Sequence, residues 1–123
     1  MANPELVSIV ICTLNRCCSL EKTLKSLNQI NYQYFEVIII DSSDDESTWK
    51  MVDDLKIDWD FPIQIFRSPV KNISISRNLG TQKSSGKIVA FIDDDAIPER
   101  DWLDKLLATY TLKGDKCAGV GVS

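Results

Sequence analysis

The stretch "KIVAFIDDDAIPERDWL", Lys87 to Leu103, passes from an apolar run through three consecutive aspartates into a patterned helix. Ile88, Val89, Phe91 and Ile92 follow one another without polar alternation, the pattern of a strand buried on both faces. Pro98 then opens a segment in which Leu103, Leu106, Leu107 and Tyr110 recur at helical spacing, ended by Lys113 and Gly114. A buried strand, an acidic turn and an amphipathic helix make half of a βαβ unit.

The same unit recurs outward in both directions. The apolar runs "LVSIVIC", "EVIIID", "PIQIF", "KIVAFID" and "CAGVGV" start about 25 to 30 residues apart, the length of one strand, crossover helix and turn. Between them lie three further helical segments. Ser19 is the expected N-cap of a stripe formed by Leu20, Leu24, Leu27 and Ile30. "DDESTWKMVDDLKI" places acids in its first turn and Trp49, Val52 and Leu55 along one face. "SISRNLGTQKSSG" is shorter, more polar and expected to stop near Gly86. Strand and helix therefore alternate throughout. This predicts an α/β fold: an open, mostly parallel, Rossmann-like sheet with helices on both faces.

Composition bounds the function. The chain has 123 residues, enough for one domain and one core, with 44% hydrophobic and 26% charged residues. A net charge of −4 argues against a nucleic-acid partner, which demands a basic field, and is compatible with a bound cation. Histidine is absent, which removes the commonest general base and transition-metal ligand. Cys12, Cys17, Cys18 and Cys117 form no CxxC pair and read as reduced thiols, which with the lack of a signal peptide gives a cytoplasmic expectation, at most peripheral to the inner face of a membrane. No apolar run approaches the ~20 residues of a membrane span.

In an open parallel sheet, ligands bind beyond the carboxyl ends of the strands. Three polar clusters follow strands: Thr13 to Arg16, "TLNR"; Asp41 to Asp45, "DSSDD"; and Asp93 to Asp95. Arg77 and Asn78 lie on the segment leading into the fourth strand. Capping of the next helix is a sufficient account of "DSSDD" taken alone. Three adjacent carboxylates at a strand end are different, because they repel one another and a cation relieves the repulsion. Carboxylates one residue apart suit Mg²⁺ or Mn²⁺, which take one or two protein oxygens and complete their shell with phosphate and water. Neither a GxxxxGK[ST] loop nor a GxGxxG turn follows a strand, which argues against P-loop nucleotidases and dinucleotide-binding domains.

Taken in order, "VSIVICTLNR", "FEVIIIDSSDDES" and "SISRNLGTQKSSGKIVAFIDDDAIPERDWL" resemble a family 2 glycosyltransferase of the GT-A fold, from about Val7 to the end of the chain. The resemblance implies a nucleoside-diphosphate sugar as donor, UDP-type by preference, and inverting transfer to an unidentified glycan or lipid acceptor. It implies that Thr13 lines the nucleotide pocket, that Asp41 hydrogen-bonds the base and that Arg77 reaches the nucleotide. Asp93 and Asp94 would face the ribose or the metal shell, as the first part of a DxD motif. Asp95, with Asp93, would ligate an Mn²⁺ or Mg²⁺ ion bridging the diphosphate. Cys12 and Leu14 stand where the family often has proline and an aromatic residue. Ser42 and Ser43 replace a frequent second acid or amide and glycine.

The resemblance further implies that residues 1–123 are one nucleotide-sugar-binding domain truncated before an acceptor half, with the general base beyond Ser123. The alternatives are a non-catalytic nucleotide-binding or assembly module derived from this fold, and a nucleotidyltransferase or phosphoacceptor domain. The last two lack their marks here: "CTLNR" supplies neither a basic glycine-rich loop nor an acidic pair after the first strand.

Overall fold

The computed structural model describes the backbone of residues 6–55, 61–113 and 121–122, and side chains over 6–54 and 61–108. In chain order the elements are β1 (Val7–Thr13), α1 (Cys17–Leu27), β2 (Phe35–Asp41), α2 (Ser47–Leu55), β3 (Ile63–Arg67), α3 (Ile73–Lys83), β4 (Ile88–Asp93), α4 (Trp102–Lys113) and β5 (Gly121–Val122). The strands form one parallel sheet in the order β3-β2-β1-β4-β5. Strand order reverses at β1 and β4, so the crevice available to a ligand lies above their carboxyl ends. The register places Thr13 beside Asp41 and Cys12 beside Asp93. The polar ends of three strands thus meet at one edge.

The β-branched runs explain the sheet's centre. Val7, Ile9 and Ile11 of β1 and Val37 to Ile40 of β2 are fully buried, as strands covered on both faces must be. Residues pointing to one face, among them Ile9, Ile11, Val37, Ile39, Ala90 and Ile92, pack with Leu20, Leu24 and Leu27 of α1, Val52 of α2, and Leu103 and Leu106 of α4. Residues pointing to the other, Val10, Ile38 and Ile40, pack with Leu79 of α3. β3 departs from the expected buried run: Gln64 and Arg67 are exposed, because the strand lies at the sheet edge.

The helix starts differ from the sequence expectation, each for a local reason. Ser19 is not a cap; α1 begins at Cys17 after Arg16, whose side chain makes no capping bond. Asn15 adopts a left-handed backbone, φ 56°, which turns the chain into the helix early. The acids before α2 stay outside its first turn. There Asp45 accepts from the Ser47 N–H at 3.0 Å, and Asp44 is engaged by neighbouring loops. Asn72 caps α3 by accepting from the Ile75 N–H at 3.1 Å, and the helix ends at Lys83, before Gly86. The turn that follows is held by buried Glu36, which accepts from the Ser8 hydroxyl at 2.5 Å and the Ser85 N–H at 2.7 Å. Pro98 does not open α4. Thr23 holds the Ala96 carbonyl at 2.7 Å and the Asn31 N–H holds that of Arg100 at 2.7 Å, so helix starts at Trp102. In the expected strand "CAGVGV", residues 117–120 lie outside the described residues; Gly121 and Val122 pair with Phe91 and Ile92. The expected stop at Gly114 and the contacts of Tyr110 also fall outside them.

Candidate functional site

Above the carboxyl ends of β1 and β4 lies a cleft of about 490 Å³. Its lining comes from the β1–α1 loop (Thr13, Leu14, Arg16), Ser42 after β2, the first turn of α3 with Lys71, Asn72 and Ser76, and the acidic turn Asp93 to Asp95. Every wall is a strand end or a helix start. That follows from the fold, because only there do all crossovers leave the sheet on one edge.

The three aspartates do different things. The Ala96 N–H donates to the Asp93 carbonyl at 3.2 Å, closing a turn with Asp94 and Asp95 at its corners. Asp94 points inward and is buried; one oxygen accepts from the Thr13 hydroxyl at 2.9 Å and the other meets Arg16 at 3.5 Å. Asp95 points outward, with its side chain 60% exposed, and Arg16 lies 3.9 Å from it. Asp93 is exposed as well. The turn is fastened from below by Thr23 of α1, a fully buried residue whose hydroxyl is 3.0 Å from the Asp94 carbonyl and 2.7 Å from that of Ala96.

A second network ties the loops at the mouth. The Asn15 amide donates to Asp44 at 2.9 Å, its carbonyl accepts from the Asp44 N–H at 3.0 Å, and its own N–H donates to the Ser43 hydroxyl at 2.7 Å. Lys71 completes the clamp by pairing with Asp44. Hydrogen bonds from Lys71 and Asn15 hold the Asp44 carboxyl below its usual range. Burial pushes the Cys12 thiol up to about 11, so it stays protonated and unreactive at neutral pH.

Of the residues singled out in the sequence, Thr13, Asp93, Asp94 and Asp95 line the cleft together. Asp41 and Arg77 do not line it. Asp41 is fully buried beneath Ser42 and Ser43; one of its oxygens accepts from the Ser43 N–H at 2.9 Å, and the other has no hydrogen-bond partner among the described residues. Arg77 sits on α3 with its guanidinium 5.7 Å from the centre of the Phe91 ring. Sequence reasoning placed Arg16 in the polar cluster after β1 without giving it a role, and passed over Lys71, Ser76 and Thr23. Thr23 had a visible signal: it is a polar residue within the apolar stripe of Leu20, Leu24 and Leu27.

Among the described residues, no three acidic, histidine or cysteine side chains converge as a complete metal cage. Asp93 and Asp95 nonetheless fit the chemistry of Mg²⁺ or Mn²⁺, exposed hard-oxygen donors of a kind that needs phosphate to fill the shell.

Comparison with known proteins agrees with this geometry. The chain is 36% identical over 118 residues to the succinoglycan biosynthesis protein ExoM of Rhizobium meliloti, covering 93% of this chain and 38% of that protein. It is 33% identical over 114 residues to a glucosyl-dolichyl phosphate glucuronosyltransferase of Haloferax volcanii, covering 91% and 36%. The chain therefore spans little more than a third of these relatives' length. Among solved structures, the mannosyltransferase PcManGT of Pyrobaculum calidifontis, in complex with GDP-Man and Mn²⁺, superposes with TM-score 0.78 at 22% identity, covering 85% of this chain and 32% of that one. S. aureus TarS 1-349 in complex with UDP-GlcNAc superposes with TM-score 0.70 at 22% identity, covering 86% and 31%. Both are GT-A glycosyltransferases, and the likeness shows a common fold. The profile of glycosyl transferase family 2 matches residues 8–122. Spanning every strand end that builds the cleft, that match makes the chain a member of glycosyl transferase family 2.

Proposed function

We propose that the chain is the donor-binding part of a metal-dependent, inverting sugar transferase that takes a nucleoside-diphosphate sugar, UDP-type by preference. The observation that carries this reading is the convergence of Thr13, Arg16, Lys71 and Asp93 to Asp95 on one cleft at the point where strand order reverses. Hydroxyls of Thr13, Ser42 and Ser76 suit a nucleoside, and carboxylates with the Arg16 guanidinium beside them suit a metal-bound diphosphate. The relatives named above add support, since one is named for glucuronosyl transfer.

Asp95 and Asp93 are the residues that would hold Mg²⁺ or Mn²⁺, which supplies Lewis-acid neutralisation of charge developing on the leaving diphosphate. The chain's own residues do the positioning. Thr13 and Thr23 fix the acidic turn, holding Asp94 inward and leaving Asp95 exposed in the cleft's lining. Ser42 and the first turn of α3 close the opposite wall. Asp41 keeps one buried, unpartnered carboxylate oxygen under that wall, which assigns it to a donor group on the base if Ser42 and Ser43 yield. Arg77 is assigned to the nucleotide on the same reading, after leaving the Phe91 ring. This reading gives the carboxylates that line the cleft to the donor, so it assigns no general base within the chain and leaves the acceptor as a glycan or lipid. No described helix is long and apolar enough to cross a membrane. Free thiols at Cys12, Cys17 and Cys18 fit a reducing, cytoplasmic compartment.

Titration with UDP in the presence and absence of Mn²⁺ tests the reading by calorimetry. Binding that requires the metal is the expected result, and Asp95→Ala is expected to remove the metal dependence. Equal UDP affinity with and without Mn²⁺ in the folded chain, or an Asp95→Ala variant that behaves as the parent, would refute it.

A further inference from the structure

Arg16 stands out because its position is built, yet its contacts are loose. The left-handed residue Asn15 and the start of α1 aim it at the acidic turn, and it makes no capping bond of its own. Its guanidinium lies 3.5 Å from one Asp94 oxygen and 3.9 Å from one Asp95 oxygen, neither a tight charge-assisted hydrogen bond. Its side chain is 59% exposed and lines the cleft. Asp94 has a second, firm partner in Thr13; Asp95 has none among the described residues beyond Arg16. So Arg16 rests against a carboxylate that the functional reading gives to a divalent cation.

A guanidinium and a divalent ion on the same carboxylate repel each other. The lining carries Asp93, Asp94 and Asp95 against Arg16 and a Lys71 already paired with Asp44, so negative charge prevails. That excess also opposes a diphosphate arriving alone. Each ligand is therefore hindered singly, and each relieves what hinders the other. The diphosphate offers Arg16 a new partner within reach, and the metal offsets the carboxylates.

We propose that Arg16 is a resident counterion that couples the two binding events: it occupies Asp95 when no diphosphate is bound and transfers to the diphosphate when metal and nucleotide bind together. Arg16 is on this account a positioning residue that sets the order and mutual dependence of binding. The inference rests on the donor-site reading above and goes beyond it.

The test uses Mn²⁺ alone, followed by electron paramagnetic resonance, and UDP titrated at saturating Mn²⁺, on the parent chain, Arg16→Gln and Arg16→Lys. Arg16→Gln is expected to bind Mn²⁺ alone about tenfold more tightly, the order set by removing one exposed charge beside a divalent ion. The same variant is expected to bind UDP with Mn²⁺ about tenfold more weakly, so at unchanged affinity for UDP alone the thermodynamic coupling between the ligands shrinks about tenfold. Arg16→Lys keeps the charge and stays near the parent on both measures. A merely structural role would weaken both ligands, and Mn²⁺ affinity that is unchanged or lowered in Arg16→Gln overturns the proposal while leaving the donor-site reading intact. A parent chain that shows no metal-dependent UDP binding overturns the donor-site reading and this inference with it.

Discussion

Thr13 shows how one side chain can serve both stability and site geometry. Its hydroxyl is the firm partner of Asp94, whose carboxylate has been taken out of water. Thr13→Val keeps the shape and deletes the donor, leaving a buried oxygen unmatched. The expected loss is about 1–3 kcal/mol by urea unfolding, and a loss below about 0.5 kcal/mol would show that Asp94 recovers a water. At this scale the sequence was informative about kinds of residue and silent about pairings. Three aspartates in a row marked the turn that lines the cleft, but nothing in the string told which one turns inward. That choice is made by the turn, which points Asp94 at Thr13 and leaves Asp95 outside. The place of Arg16 after β1 was legible but its partner was not, and Lys71 gave no signal, since a basic residue in a loop is usually solvated. Only the folded arrangement brings Arg16 to Asp94 and Lys71 to Asp44. Asp41 illustrates the reverse: its type and place after β2 were legible, while its burial under Ser43 was not.

Among the elements, α3 is the one that fixes the cleft's depth. Its buried face consists of Ser76 and Gly80, both small, so the helix comes down close on the sheet. A methyl group added at Gly80 would stand 2.4 Å from Val10 Cγ1 and 3.4 Å from Ile40 Cγ1. Val10 is itself almost fully buried and has little room to yield. Overpacking of this kind costs about 1–3 kcal/mol, offset by at most about 1 kcal/mol of better helix propensity. Gly80→Ala is therefore expected to destabilise by about 1 kcal/mol or more, measured by chemical denaturation, and a stabilised variant would contradict the close approach. The existence and order of the elements were readable because buried parallel strands are continuous runs and crossover helices carry stripes. Their starts were not readable, because tertiary bonds decide them. Asn15 brings α1 forward to Cys17, and Thr23 and Asn31 hold the carbonyls of Ala96 and Arg100 on either side of Pro98, so that α4 begins only at Trp102.

For the molecule as a whole, the two faces of the sheet are unequally covered. α1, α2 and α4 serve one face, while on the other α3 packs with Val10, Ile38 and Ile40 and leaves Phe66, Val89 and Phe91 partly buried. Ile75 and Ile97 are 46% and 62% exposed. Replacing both with serine is expected to change stability by no more than about 0.5 kcal/mol, read from urea midpoints; a larger loss would mean that these side chains are covered in solution. The central position of β1 has a further consequence. It pairs with β2, close in sequence, and with β4, which ends at Asp93. The bond from Thr13 to Asp94 spans 81 positions. During synthesis at the ribosome, β1 and β2 can meet early, but the cleft requires the chain through Asp95 to have emerged and β4 to have docked. On the proposed donor reading, occupancy by nucleotide would therefore report on the completion of folding, and a donor analogue would select the finished sheet over every partly assembled species.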